Sequence, residues 1–134
     1  MNTKTVMTLS SLIMGAIGIT LSFIPDVMLT HLGIEVNQMT LFLLQILGAL
    51  YFAFAILNWM SKSSIIGGIY NRPLAIANFS HFLIGGLALL KGIISNPELR
   101  LVIWGLAIVY IGFGCLFGII LFVHPHQAKK NSQD

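Results

Sequence analysis

Four long apolar runs constrain this chain more than any other feature. They occupy 5–24, 38–60, 73–94 and 97–123. At 1.5 Å rise per residue, each is long enough as a helix to cross a hydrocarbon layer of about 30 Å. Inside lipid the backbone has no water to bond, so a run of this length must satisfy its own N–H and C=O groups as a helix. The expected fold class is therefore all-α, a four-helix transmembrane bundle running up-down-up-down with short links. With about 20 residues per span, 134 residues hold at most four or five spans. One bundle over 1–124 and a polar cytoplasmic tail over 125–134 account for the chain, with no second domain.

Composition says what the chain is not. Hydrophobic residues make up 57% and charged residues 8%, against roughly a quarter charged in a soluble domain. So few charges cannot cover a soluble surface. A soluble globular enzyme and a disordered chain are excluded. The net charge of +3 comes from seven Lys and Arg scattered over the length. They form no basic patch, so nucleic acid is not an expected partner.

The ends of the runs carry local signals. Lys4 before an apolar run resembles a signal peptide. The run is longer than an h-region, however, and no small-x-small site follows it, so it reads as an uncleaved first span. Pro25 with Asp26 ends that span, and 25–33 reads as a short interfacial helix stopped by Gly33. Asn37 is the expected N-cap of the second span. Pro73 fits the first turn of the third, and Asn96-Pro97 the start of the fourth. His124-Pro125 closes the fourth. The link over 61–72 is expected to be a re-entrant or surface segment, with Gly67 and Gly68 allowing a bend. Lys4, Lys62, Arg72, Lys129 and Lys130 fall on one side and only Lys91 and Arg100 on the other. The positive-inside rule then places both termini and the central link in the cytoplasm.

Small residues mark contact faces between helices in lipid. The first span carries Ser11, Gly15, Gly18 and Ser22 on one stripe. The third carries Ala77, His81, Gly85 and Ala88, with Asn78 on the shoulder. The fourth has Ala107, Tyr110, Gly114 and Phe117 on one face, and Gly105 with Gly112 on the opposite one. The second small face suggests contact with another subunit, in a homodimer or a larger membrane complex.

Polar side chains at helix depth are the candidate site. Counted along the third span, His81 lies about 12 Å from the cytoplasmic edge, and Tyr51 and Tyr110 come out at a similar level. Asn78 and Ser11 sit slightly nearer the cytoplasm, and Arg72 lies at the mouth. A buried amide or imidazole left unpaired costs on the order of 1–3 kcal/mol, so each needs a partner. Two readings stand open: hydrogen bonding between helices, or a polar-ended pocket for the head group of an apolar ligand such as a lipid, quinone or isoprenoid. In the second span Gln45 and Tyr51 lie on opposite sides, and only one can point straight inward.

Several chemistries lack their residues. No Asp or Glu lies in a helix core, which argues against proton-driven cation export. His81 has no second histidine on a facing helix, as a membrane b-type haem usually needs. His31, His124 and His126 do not close a metal shell, so neither a cofactor nor a metal is expected. Cys115 is the single cysteine and cannot form an internal disulfide or a Cys-x-x-Cys pair.

The pattern of Pro25, the Leu32-Gly33 turn and Gly48-Ala49-Leu50-Tyr51 resembles small bacterial four-helix membrane proteins of the DoxX-like type. The run from Gly67 to Phe82, GGIYNRPLAIANFSHF, is similar to a branch of them. The resemblance implies a place beside quinone-linked oxidoreductases, often as a non-catalytic small subunit. The layout, with Gln45 in the second span and His81-Phe82 in the third, also resembles eukaryotic sterol-pathway scaffold proteins. Neither implies catalytic residues.

The expected function is a non-enzymatic accessory or scaffold protein binding an apolar ligand or a partner membrane protein. The alternative is a small enzyme acting on an isoprenoid or quinone. There His81 serves as general acid or base, suited by an imidazole pKa near neutrality, and Tyr51 or Tyr110 as donor. A small transporter is disfavoured by the shortage of polar residues for a lumen. The chain should stay with membranes through an alkaline carbonate wash and dissolve only in detergent. Recovery in the aqueous fraction would overturn the reading.

Overall fold

The structure, a computed structural model, describes residues 2–64, 69–98 and 100–123. The Gly67-Gly68 bend, the His124-Pro125 stop and the 125–134 tail lie outside the described residues. The all-α class holds. The elements are α1 (Thr3–Phe23), α2 (Pro25–Leu32), α3 (Gln38–Ser61), a 3₁₀ turn (Ile69–Asn71), α4 (Arg72–Ser95) and α5 (Leu101–Val123). Four of these helices are long and apolar enough to cross a membrane, and the chain is a membrane protein. They pack in two compact units, divided near Ser63 and Ser64.

Caps set most of the helix ends. The Asn2 side chain accepts from the Lys4 N–H at 3.1 Å and starts α1 earlier than the apolar run does. Pro25 cannot continue α1. Ile24 leaves the helical region at φ −134°, and Pro25 opens α2. Gly33 ends α2 in the left-handed conformation at φ 73°. The Gly33 N–H then bonds the Thr30 carbonyl and the Ile34 N–H the Leu29 carbonyl, each at 3.0 Å, a Schellman closure. Asn37 caps α3, accepting from the Thr40 N–H at 2.9 Å. Asn96 is a correction. It does not start α5 with Pro97 but ends α4, its N–H bonding the Gly92 carbonyl at 3.0 Å, and α5 begins at Leu101. The Asn-Pro pair carries the same local signal whether it closes one helix or opens the next.

The first unit is an antiparallel hairpin of α1 and α3, with α2 in the connection. The stripe Ser11, Gly15, Gly18 and Ser22 faces α3. At its centre Gly18 and Gly48 meet backbone to backbone. A Cβ on Gly18 would lie 2.7 Å from the Phe52 nitrogen and 2.9 Å from the Gly48 carbonyl oxygen; one on Gly48 would lie 2.9 Å from the Gly18 oxygen. Nearer the chain's start the contact turns polar. Asn58 and Ser10 are wholly buried, and the Asn58 Nδ2 donates to Ser10 Oγ at 3.2 Å and to Met14 Sδ at 3.7 Å. Ser10 Oγ donates to the Met7 carbonyl at 3.0 Å. Only Gly48, Ala55 and Asn58 of α3 are buried. Most of its Leu, Ile and Phe side chains are exposed, with Leu41, Leu44 and Phe54 half-buried, as a lipid-immersed helix requires.

The second unit is the antiparallel hairpin of α4 and α5. Its seam is aromatic. Phe82, 1% exposed, stacks on Phe113 with ring centroids 5.0 Å apart and on Phe117 at 5.8 Å. The buried face of α4 is Ala75, Asn78, Phe82, Gly86 and Ile93. This corrects the small-residue stripe expected there. Ala88 is exposed, and Ala77, His81 and Gly85 lie on the flank. The stacked rings centre the seam on Phe82, while His81 and Gly85 of the expected stripe still meet Tyr110 of α5. On α5 the expected face of Ala107, Tyr110, Gly114 and Phe117 is buried.

Gly18→Ala and Gly48→Ala should each destabilise the first hairpin by about 1–3 kcal/mol in mixed-micelle unfolding, because the new methyl meets backbone that cannot yield. Gly112→Ala, where a Cβ meets nothing within 4 Å, is the control and should be near neutral.

Candidate functional site

The polar residues singled out at helix depth separate into two groups. On the first hairpin, Ser11 is buried and its hydroxyl donates to the Ala55 carbonyl at 2.7 Å, a bond between α1 and α3. Tyr51 is half-buried on α3 and Gln45 exposed, so Tyr51 is the more inward of the two. On the second hairpin, Arg72 is the exposed first residue of α4. Asn78 is wholly buried, and its Nδ2 donates to the Leu74 carbonyl one turn back at 3.0 Å.

His81 and Tyr110 are brought together. Tyr110 Oη lies 3.2 Å from His81 Nε2, within hydrogen-bond range across the α4–α5 seam. The donor is set by the imidazole tautomer. Tyr110 is 3% exposed and His81 half-buried. Their rings are 5.4 Å apart, and Phe82 stands edge-on to both, at 5.1 Å from His81 and 5.3 Å from Tyr110.

The same seam carries an apolar groove of about 250 Å³, lined by Phe79, Phe82, Leu83, Gly86, Leu87, Leu90, Ile111, Gly114, Cys115 and Gly118. Among the described residues the exposed thiol of Cys115 is its sole heteroatom-bearing side chain. Its glycines sit at close approaches: a Cβ on Gly114 would lie 3.7 Å from the Leu83 nitrogen and one on Gly118 3.2 Å from Phe79 Cε2. On a helix of 3.6 residues per turn, Phe79, Leu83, Gly86 and Leu90 fall on one side of Phe82, and Asn78, His81 and Gly85 on the other. On α5, Ile111, Cys115 and Gly118 fall on one side of Gly114, and Tyr110, Phe113 and Phe117 on the other. The hairpin thus presents a hydrocarbon groove on one side of its seam and a His–Tyr pair on the other, with Phe82 as the shared wall.

Sequence reasoning passed over Ser10 and Asn58. The spacing Gly48, Ala55, Asn58 is seven then three, one helical stripe, and was a usable signal. It also passed over the Phe82–Phe113–Phe117 stack, because aromatic residues in an apolar run carry no mark of which way they face. Among the described residues no group of three or more His, Cys, Asp or Glu is placed to hold a metal. No protein-family model, curated protein or solved structure matches the chain.

Tyr110→Phe should cost about 0.6 kcal/mol, and no more than about 1.7, the range for hydrogen bonds between membrane helices. Phe82→Ala should cost about 3–5 kcal/mol by opening the stacked core. Unfolding in mixed micelles measures both; a larger loss from Tyr110→Phe than from Phe82→Ala would contradict the aromatic seam.

Proposed function

We propose that this is a non-enzymatic membrane protein, an accessory or scaffold subunit of a bacterial inner membrane, that seats the hydrocarbon part of a lipid, quinone or isoprenoid in the α4–α5 groove. The carrying observation is that groove: an open, almost entirely apolar slot along a helix pair whose seam is otherwise filled by stacked rings. His81 and Tyr110 are the proposed polar contact, for a ligand head group or for a partner membrane protein. Asn78 stands one turn away and Arg72 at the mouth. Ser11 and Tyr51 are the weaker candidates, since the Ser11 hydroxyl is already committed to Ala55. The DoxX-like resemblance supports the accessory role, and Lys4, Lys62 and Arg72 with the two terminal lysines support cytoplasmic ends.

A second reading has one observation in its favour. A tyrosine hydroxyl beside an imidazole nitrogen is the arrangement an acid–base pair would use. Turnover of an isoprenoid or quinone by the purified protein, lost in His81→Gln, would select the enzyme.

Extraction and mass spectrometry of what co-purifies tests the first reading. Gly118→Leu, which fills the groove, should deplete bound lipid or quinone, and His81→Ala and Asn78→Ala should shift its composition. Folded variants with unchanged ligand content would end it.

A further inference from the structure

We infer that Gly85 is the positioning residue of the His81–Tyr110 pair, and that its missing side chain is what lets the tyrosine hydroxyl reach the imidazole. The inference rests on the reading of that pair as the polar contact of the protein.

Gly85 lies one turn beyond His81 on α4, on the same side of the seam. A Cβ built there would stand 2.5 Å from Tyr110 Cε1 and 2.8 Å from Cδ1. Carbon atoms in contact settle at about 3.5–4.0 Å, so a methyl at this position displaces the ring by about 1 Å. The ring cannot slide aside freely. It is 3% exposed and is flanked by Phe82 and His81. The remaining direction is outward from α4, away from the helix that carries His81. The hydroxyl travels with the ring. The Oη–Nε2 separation of 3.2 Å is already at the long end of the range for such bonds, and another ångström breaks it.

The neighbouring glycine shows that this is a property of the position. A Cβ on Gly86 would meet Tyr110 Cβ at 3.6 Å and Ile111 atoms at 3.7 Å, which are ordinary contacts. Gly86 lines the groove; Gly85 seats the tyrosine. Adjacent glycines thus serve the two sides of the seam separately, and only alanine at 85 should uncouple the polar pair.

The test reads His81 itself. With ¹⁵N-histidine in detergent micelles, the His81 ring signals are assigned by their absence in His81→Gln. Gly85→Ala should move the Nε2 signal to its position in Tyr110→Phe, and in the double variant Gly85→Ala should add no further shift. Gly92→Ala, on the same helix where a Cβ meets nothing within 4 Å, should leave the signal as in the native chain. A folded Gly85→Ala protein with a native His81 signal overturns the inference. If Gly85→Ala does not fold, adding Tyr110→Ala removes the obstructing ring and should restore folding; failure to restore it also overturns the inference. In parallel, Gly85→Ala should lower co-purified ligand about two- to tenfold, the effect of one hydrogen bond. The spectrum is read without ligand, so native protein that carries none refutes the proposed function and leaves the Gly85 result standing.

Discussion

Helices immersed in hydrocarbon gain nothing from burying apolar surface against one another, because lipid is as apolar as leucine. What holds a pair together is how closely the two backbones or ring systems can approach. Both hairpins are organised around that requirement, and each solves it differently. In the first, Gly18 and Gly48 remove the side chains at the crossing, so main chain lies on main chain and the contact is made of many short dispersion contacts. In the second, the approach is set by flat rings. Phe82, Phe113 and Phe117 stack, and glycines are placed where a ring or an open groove needs the room.

The polar residues follow from the same economy. A hydroxyl or amide in hydrocarbon must find its partner inside the protein. Thr8 and Thr20 bond carbonyls one turn back, at 2.8 and 2.9 Å, and Asn78 does the same from a fully buried position. These bonds stay within one helix. Ser11, Asn58 and the His81–Tyr110 contact are different in kind, because their bonds join one helix to another. Of these, Ser11 and Asn58 are buried, whereas the imidazole of His81 is half-exposed at the edge of the seam. That asymmetry makes the second hairpin the more informative half of the molecule.

The spans and their ends were legible at once, since they depend on nothing beyond neighbouring residues: apolar runs, Asn37, Pro25, Pro73 and Gly33. The exception, Asn96, failed for a local reason too, because Asn-Pro marks a helix boundary without saying which helix it belongs to. The α1 stripe was read correctly because all four of its members are small, and small residues have one use at a helix crossing in lipid. The α4 stripe was read one flank away from its true centre. His81 and Gly85 do meet Tyr110 of α5, but Ala88 is exposed, and ranking residues by size could not anticipate that the stacking of Phe82 on two rings of α5 centres the seam. Asn58 was missed because its neighbours along the chain, Leu57 and Trp59, draw it into an apolar terminus.

The number, length and chemistry of the membrane helices were therefore determined by the sequence alone, because solvation by lipid acts on each segment independently. Which residues meet was decided only in the tertiary structure. An apolar helix offers the same hydropathy on every face, so its rotation is set by shape: by where a ring stacks, where a backbone can touch, and where a missing Cβ leaves a place. The contact of Tyr110 with His81, and the groove on the other side of Phe82, are products of that rotation.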